Sequence, residues 1–213
     1  MIHLFGESFT FCQGCNPSEE YYEKTYDGTQ KTWVQFTANH LNDRFKNHGM
    51  PGVGNQKIID KIIEKLSSIN DGDVVIIGRA DDSRFCVPLT LKEYDFNGFS
   101  DVLVGMLLDR TDSFKRWNDS YYNAVVDYTK YVLIPNETPI IQRWDSIYNS
   151  FVDYFNKRNI KVILWRVDEQ LRCDKTGGAK YPIISDEEPE IFDSHWSWNG
   201  HYKFFKQYME PLL

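Results

Sequence analysis

Short apolar runs alternate along this chain with longer segments in which apolar residues recur at helical spacing. The apolar runs lie at residues 2–5, 73–78 and 160–167, and such continuous runs are typical of parallel strands covered on both faces. The helical patterns span residues 31–48, 58–66, 140–155 and 199–208. Strands alternating with helices predict an α/β fold, namely a three-layer α/β/α sandwich with a mostly parallel, flavodoxin-like sheet.

Residues 85–136 do not fit this alternation. The segment begins with an irregular stretch and continues through a predicted helix at about residues 113–131 that is rich in Phe, Trp and Tyr. We interpret it as an inserted lid or wall, helical and aromatic. Aromatic side chains can pack a core or line a groove for a sugar or another flat amphipathic ligand.

The length and net charge of the chain indicate a single domain and argue against a nucleic-acid-binding protein. The 213 residues fit one domain, and the formal net charge of −7 argues against a nucleic-acid partner. No apolar run approaches the roughly 18 residues of a membrane-spanning helix, and the start lacks the pattern of a signal peptide. We therefore expect a soluble, cytoplasmic protein without a membrane partner, whose oligomeric state the sequence does not indicate.

Candidate chemistry lies at the two ends of the chain. Ser8 follows the first apolar run in Gly6-Glu7-Ser8-Phe9, where a sharp turn would expose its hydroxyl at the end of a strand. A serine needs a base to become a nucleophile, and Asp193-Ser194-His195 supplies an imidazole with a carboxylate two residues away. Each segment taken alone is also compatible with a capping serine or a surface histidine.

Taken together, these segments resemble the SGNH/GDSL hydrolase family. Gly6-Glu7-Ser8-Phe9 is similar to its first block, with Glu for Asp, and Pro51-Gly52-Val53-Gly54-Asn55 resembles the second. Asp193 to His201 is similar to the final block in its His, Gly, His spacing, although the acid lies two residues before His195 and Trp196 replaces a proline. The D-x-H-W variant is similar to SGNH-like polysaccharide O-acetyltransferases, and the opening segments look like those of tailed-bacteriophage proteins.

The resemblance implies a catalytic triad and an oxyanion hole. Ser8 would be the nucleophile, His195 the base and Asp193 its orienting acid, while the backbone N–H groups of Ser8 and Gly52 would hold the oxyanion. The third block departs from the family pattern, because Ala80 stands where an asparagine donor belongs. We expect Asn55, Arg79 or Arg84 to supply the replacement donor, and Arg79 and Arg84 are also candidates for substrate binding.

These features predict a serine esterase that acts on a small-molecule or carbohydrate ester, with O-acetyl groups on sugars as one substrate class. The same triad would also serve an O-acyltransferase. A third reading is a catalytically silent binding or virion-associated module on the same fold, which Glu7 and Ala80 make credible.

A few other residues are candidates for the same site or for binding a ligand. His201 is an alternative base, but in the family pattern the second histidine packs structurally, so His195 is preferred. Cys12 and Cys15 have the spacing of a zinc or redox half-site without a second half, which favours two ordinary thiols. The acidic run at residues 186–188 lacks the pattern of a cation loop, and no nucleotide-binding glycine motif is present. We expect no metal and no cofactor.

Overall fold

The structure is a computed structural model that describes residues 1–13, 15, 26–82, 84–91, 96–108, 117, 119–168, 183–185 and 195–213. Several predicted features lie outside these residues: Asp193 of the triad, the acidic run at residues 186–188, and the first residues of the predicted helix at 113–131. Among the described helices none is both long and apolar enough to cross a membrane.

The elements follow one another in an alternating order. The strands are β1 (Ile2–Phe5), β2 (Phe45–Asn47), β3 (Val74–Arg79), β4 (Arg84–Leu91), β5 (Phe96–Leu103), β6 (Lys161–Asp168) and β7 (Ile183–Ser185). The α-helices are α1 (Ser8–Phe11), α2 (Trp33–Leu41), α3 (Asn55–Lys65), α4 (Val104–Leu108), α5 (Asp119–Tyr128), α6 (Glu137–Lys157) and α7 (Trp198–Phe204).

Five strands form one parallel sheet in the order β2-β1-β3-β6-β7. This is the doubly wound order in which ligands bind beyond the carboxyl ends of the strands, where the order reverses next to the first strand. The predicted fold class, an α/β sandwich with a parallel sheet, is therefore confirmed. The predicted strands at residues 2–5, 73–78 and 160–167 are β1, β3 and β6, with ends shifted by at most one residue.

Two apolar cores cover the two faces of the sheet. Successive side chains of a strand point to opposite faces, so Val75 and Ile77 of β3 pack on α3 and α6, whereas Ile76 packs on α2 and α7. The α2/α7 face contains the aromatic cluster of Trp33, Trp165, Trp196 and Phe204. The central strands are covered on both sides, which is why their sequences read as continuous apolar runs.

The predicted helix at residues 31–48 is too long. Helix α2 ends at Leu41, because Asn42 adopts a left-handed conformation with φ of 48° and its N–H bonds back to the carbonyls of Ala38 and Asn39. Such a residue terminates a helix. Residues Phe45–Asn47 then form the exposed edge strand β2, which pairs with β1.

The insert is only partly helical. Its start, which the sequence pattern suggested to be irregular, is the antiparallel hairpin β4–β5, in which Arg84 pairs with Leu103 and Leu91 with Phe96. Helices α4 and α5 follow, and they share a small core in which the Tyr122 hydroxyl donates to the Leu107 carbonyl at 2.7 Å. The predicted aromatic helix at about residues 113–131 is present from Asp119 onward, whereas the stretch that was expected to be irregular forms a regular hairpin.

Candidate active site

Ser8 is the first residue of α1, directly beyond the carboxyl end of β1. The turn before it has no room for a side chain at Gly6, since a Cβ there would lie 2.1 Å from Thr10 Oγ1 and 2.8 Å from the Gly78 carbonyl oxygen. Gly6 thus lets α1 fold closely onto the end of β3. The predicted position of Ser8 at the end of a strand agrees with this geometry.

Glu7 forms the N-cap of α1 and holds Ser8 through both of its donors. Its Oε2 accepts a hydrogen bond from the Ser8 backbone N–H at 2.8 Å and another from the Ser8 hydroxyl at 2.5 Å. Its Oε1 accepts from the Phe9 N–H at 3.2 Å. Burial raises the pKa of the Glu7 carboxyl, against the opposing effects of these hydrogen bonds and of the charges of Arg84 and His195.

The glycine loop of the second block runs beside this turn. His48 N–H donates to the Leu4 carbonyl at 2.8 Å and Met50 N–H to the Gly6 carbonyl at 3.0 Å, which fixes the loop after β2 against the start of α1. Gly52 follows with φ of 70°, a conformation that favours glycine. A Cβ on Gly52 would lie 3.9 Å from Nη1 of Arg84, so Arg84 approaches the loop from β4.

Asn55 is the first residue of α3, directly after the N-cap residue Gly54. Its buried amide is paired with the backbone of Ala80, donating to the carbonyl and accepting from the N–H, both at 3.1 Å. Tyr148 donates to the same amide oxygen at 2.9 Å. These bonds tie α3 to the end of β3, and they occupy the amide that was expected to contact the oxyanion.

Arg79 is completely buried at the end of β3 and bonded to carboxylates. Its Nε donates to Asp82 at 3.0 Å, Nη1 donates to Asp145, and its guanidinium lies 5.7 Å from the ring centre of Tyr148. Arg166 of β6 approaches Asp82 at 3.6 Å. Burial raises the pKa of Asp82 although both arginines oppose this shift. Arg79 therefore links Asp82 and Asp145 at the carboxyl end of β3. Of the two arginines predicted to bind substrate, only Arg84 lines the cavity described below.

The C-terminal segment is anchored by Trp196. This side chain is buried, with its ring centre 4.6 Å from Phe204 and 6.2 Å from Trp165. Ser197 caps α7 by accepting from the Gly200 N–H at 3.1 Å, and Gly200 leaves room for Trp196 because a Cβ there would lie 2.9 Å from the tryptophan Cβ. Trp196, which stands at the proline position of the family pattern, thus holds the neighbouring and partly exposed His195 in place.

Phe9 brings the two ends of the chain together. Its ring centre lies 5.0 Å from that of His195 and 4.7 Å from that of Trp196. The side chain that follows Ser8 therefore packs directly on the predicted base. The Trp33 indole donates to the Phe9 carbonyl at 3.0 Å, which secures this contact from α2.

His201 occupies a different environment from His195. It is 1% exposed, and its ring stands edge-on to Trp196 at 5.7 Å. Burial lowers the pKa of His201 to about 3, so it remains neutral at ordinary pH. This environment supports the structural role that was expected of the second histidine.

A cavity of about 790 Å³ opens between α3, the base of the β4–β5 hairpin and the start of α6. Its wall combines aromatic and charged side chains, among them Lys57, Arg84, Phe85, Tyr128, Arg143 and Trp144. Gly54 and Arg84 border both the cavity and the glycine loop. Ligand pockets of this size are common in enzymes that bind small molecules. Residues of the insert, among them Phe85 and Tyr128, thus form part of the wall of this cavity.

The two cysteines of the Cys12-x-x-Cys15 pair are buried. The Cys12 thiol donates to the Thr10 carbonyl at 3.5 Å and the Cys15 thiol to the Trp196 carbonyl at 3.6 Å. In the part of the chain that the structure describes, no group of three or more His, Cys, Asp or Glu residues could hold a metal ion.

Sequence reasoning missed three features of this site. In the sequence Glu7 is only a departure from a motif, whereas in the structure it binds the Ser8 hydroxyl directly. Tyr148 and Asp145 of α6 contact the ends of α3 and β3. The helical spacing of apolar residues over 140–155 places Tyr148 on a buried face of its helix. Nothing local in the sequence indicates which residue the Tyr148 hydroxyl would bind.

Comparison with known proteins yields structural neighbours only, since no family model and no curated protein matches the chain. A carbohydrate esterase is similar over 99% of this chain and 67% of its own, with 14% identity and a TM-score of 0.48. The lipase Lip_vut3 from a goat rumen metagenome is similar over 99% and 96%, with 10% identity and a TM-score of 0.48. A member of the lipolytic G-D-S-L family from Veillonella parvula DSM 2008 shares 15% identity over 98% and 97%, with a TM-score of 0.35. These three similar structures are named as a carbohydrate esterase, a lipase and a lipolytic protein of the G-D-S-L family.

Proposed function

We propose that this chain is a serine ester hydrolase in which Ser8 is the nucleophile, His195 the base and Asp193 the acid that orients it. The observation that carries the proposal is the packing of Phe9 on His195 at 5.0 Å, which joins the segments from the two chain ends at the carboxyl edge of the sheet. Open α/β sheets bind their ligands at this edge.

In the proposed reaction, Ser8 Oγ attacks the ester carbonyl while His195 takes its proton and then delivers it to the leaving alcohol. The oxyanion forms next to the backbone N–H groups of Ser8 and Gly52. The amide of Asn55 holds Ala80 instead of facing the reaction. An oxyanion hole that lacks a side-chain donor is expected to be slower by about 10²- to 10³-fold than one that has it. Water then hydrolyses the acyl enzyme.

The cavity beside the glycine loop suits the part of the ester that does not react. Its aromatic residues Phe85, Tyr128 and Trp144 offer flat faces, and Lys57, Arg84 and Arg143 offer hydrogen-bond donors. Rings and donors together are suited to a hydroxyl-rich ring such as a sugar. We therefore propose carbohydrate esters, with O-acetyl groups first, as the substrate class.

A second candidate function, a catalytically silent binding module, is supported by one observation. Both donors of Ser8 are held by Glu7, and Ala80 stands in place of a side-chain donor. Such a protein would still bind a carbohydrate in the cavity. An acyltransferase with the same triad differs from the hydrolase only in passing the acyl group to an alcohol rather than to water.

A fluorophosphonate probe tests the proposal. We expect covalent labelling at Ser8, located by mass spectrometry of peptides, and loss of labelling in the S8A and H195A variants. Folded protein that stays unlabelled while a control serine hydrolase reacts would favour the binding module. Release of acetate from acetylated sugars, with and without an added alcohol, then separates hydrolysis from acyl transfer.

The cavity is tested with two variants of the same helix. W144A removes an aromatic wall of the cavity, whereas Y154A removes an exposed aromatic residue elsewhere on α6. We expect W144A to raise the KM for acetylated sugars by about tenfold, the effect of losing about 1.4 kcal/mol of binding free energy. Y154A should leave KM unchanged. Equal KM values for both variants would remove the cavity from the substrate site.

A further inference from the structure

The carboxylate of Glu7 occupies both groups of Ser8 that acyl transfer requires. Oε2 accepts from the Ser8 hydroxyl at 2.5 Å and from the Ser8 backbone N–H at 2.8 Å. In the reaction proposed above, the hydroxyl must donate to His195 and the N–H must donate to the oxyanion. One carboxylate oxygen therefore binds the nucleophile and a donor of the oxyanion hole at once.

These contacts compete with catalysis for a simple reason. A serine hydroxyl has one hydrogen and donates it to one acceptor at a time. While that hydrogen points to Glu7, it cannot pass to His195. Hydrogen bonds to an ionised acceptor are roughly twice as strong as neutral ones, so the charged form of Glu7 holds both donors most firmly.

The surroundings of Glu7 make this competition adjustable. The Glu7 residue is only 6% exposed, so little water can replace a lost hydrogen bond. Among the residues that the structure describes, the charged and titratable groups that act on it from neighbouring elements are Arg84 of β4 and His195 before α7. Because burial raises the pKa of Glu7, its neutral form is populated at milder pH than that of an exposed glutamate.

We infer that the ionised carboxylate of Glu7 is an internal competitor for the hydroxyl and the backbone N–H of Ser8, and that neutralising this carboxylate activates the nucleophile. The inference rests on the proposed function, since it takes Ser8 as the nucleophile. When Glu7 is neutral, the Ser8 hydrogen turns to His195, the bond from Oγ to the electrophile forms, and the proton leaves on His195.

The test compares rates of fluorophosphonate labelling at Ser8 in the wild type and in E7Q between pH 5 and 9. In this reaction the bond from Oγ to phosphorus forms, fluoride leaves, and the serine proton passes to His195. We expect E7Q to react at least about tenfold faster than the wild type at pH 8. The ratio should shrink toward low pH, where Glu7 of the wild type becomes neutral. A structural role of Glu7 alone would not produce this pH-dependent ratio.

Two further variants keep the test decisive. E64Q is the matched control, since it makes the same substitution at an exposed glutamate that pairs with Lys61 and Lys65 on α3, and its labelling rate should equal that of the wild type. If E7Q does not fold, E7D serves instead. Its shorter carboxylate can still cap α1 but falls short of the Ser8 hydroxyl, so it too should react faster than the wild type.

Folded E7Q that reacts no faster than the wild type at any pH would overturn the inference, and so would folded E7D if E7Q cannot be used. That result leaves the proposed function intact, because wild-type labelling at Ser8 and its dependence on His195 decide the function separately. Absence of labelling in the wild type and both variants would overturn both. Labelling of E7Q alone would support the inference, because Ser8 would then react only once Glu7 is neutral, whereas the unlabelled wild type would favour the binding module.

Discussion

Removal of the Asn55 amide tests how the segment around Ala80, which follows β3, is held against α3. This side chain carries three buried hydrogen bonds, two at 3.1 Å with the Ala80 backbone and one at 2.9 Å from the Tyr148 hydroxyl. Asn55 is 1% exposed, Ala80 2% and Tyr148 0%. In N55A, therefore, water cannot readily reach the groups that lose their partner.

The cost of N55A follows from these contacts. A buried donor or acceptor left without a partner costs about 1 to 3 kcal/mol, but the loop can relax and the terms are not additive. We expect N55A to lower the free energy of unfolding by about 3 to 5 kcal/mol. For a chain of 213 residues this corresponds to a fall in Tm of roughly 10 °C.

The matched control is Y148F, which removes one hydrogen bond and leaves both bonds between Asn55 and Ala80 intact. We expect it to cost only about 1 kcal/mol. Urea unfolding followed by tryptophan fluorescence measures both variants. If N55A loses no more stability than Y148F, then the Ala80 backbone is satisfied in another way, and the assigned role of Asn55 as the tie between α3 and β3 is wrong.

Two further predictions concern the turn before Ser8 and the buried histidine. G6A should lose at least about 1 to 3 kcal/mol of stability and most labelling at Ser8, since its Cβ would meet Thr10 Oγ1 and the Gly78 carbonyl oxygen. The control is G72A, whose Cβ meets nothing within 4 Å but whose φ is 83°; it should lose only about 1 to 2 kcal/mol of stability and keep its labelling at Ser8. Equal labelling of G6A and G72A would contradict the claim that the turn at Gly6 has no room for a side chain. His201 has its pKa lowered from 6.5 to about 3, so the unfolded chain binds a proton that the folded chain does not, and wild-type stability should fall as the pH drops from 6.5 toward 3. The free energy of unfolding, measured with urea, should fall from pH 7 to pH 4 by a few kcal/mol less in H201Q than in the wild type. An identical fall in both proteins would show that the folded protein readily protonates His201.

Some features of the fold can be predicted because they are encoded locally. The run Val74–Ile77 is apolar at every position, which is typical of a strand covered on both faces. The helical spacing of Ile58, Ile59 and Ile62 fixes the buried face of α3. The edge strand Phe45–Asn47 is different. Its residues are all exposed, so they carry no pattern, and its pairing with β1 alone makes it a strand.

The candidate site divides in the same way. Ser8 and His195 are visible in the sequence because reactive residue types stand in short motifs, and Gly6 marks the turn beside one of them. The bond from the Ser8 hydroxyl to Glu7, the pairing of Asn55 with Ala80 and the packing of Phe9 on His195 are not visible there. The sequence by itself determined the central strands β1, β3 and β6, most helices and the candidate site residues Ser8 and His195, because periodicity and motifs are local properties. Only the tertiary structure decided which donor meets which acceptor, because those partners are chosen by the approach of segments far apart in the chain and by side-chain rotamers within the packed core.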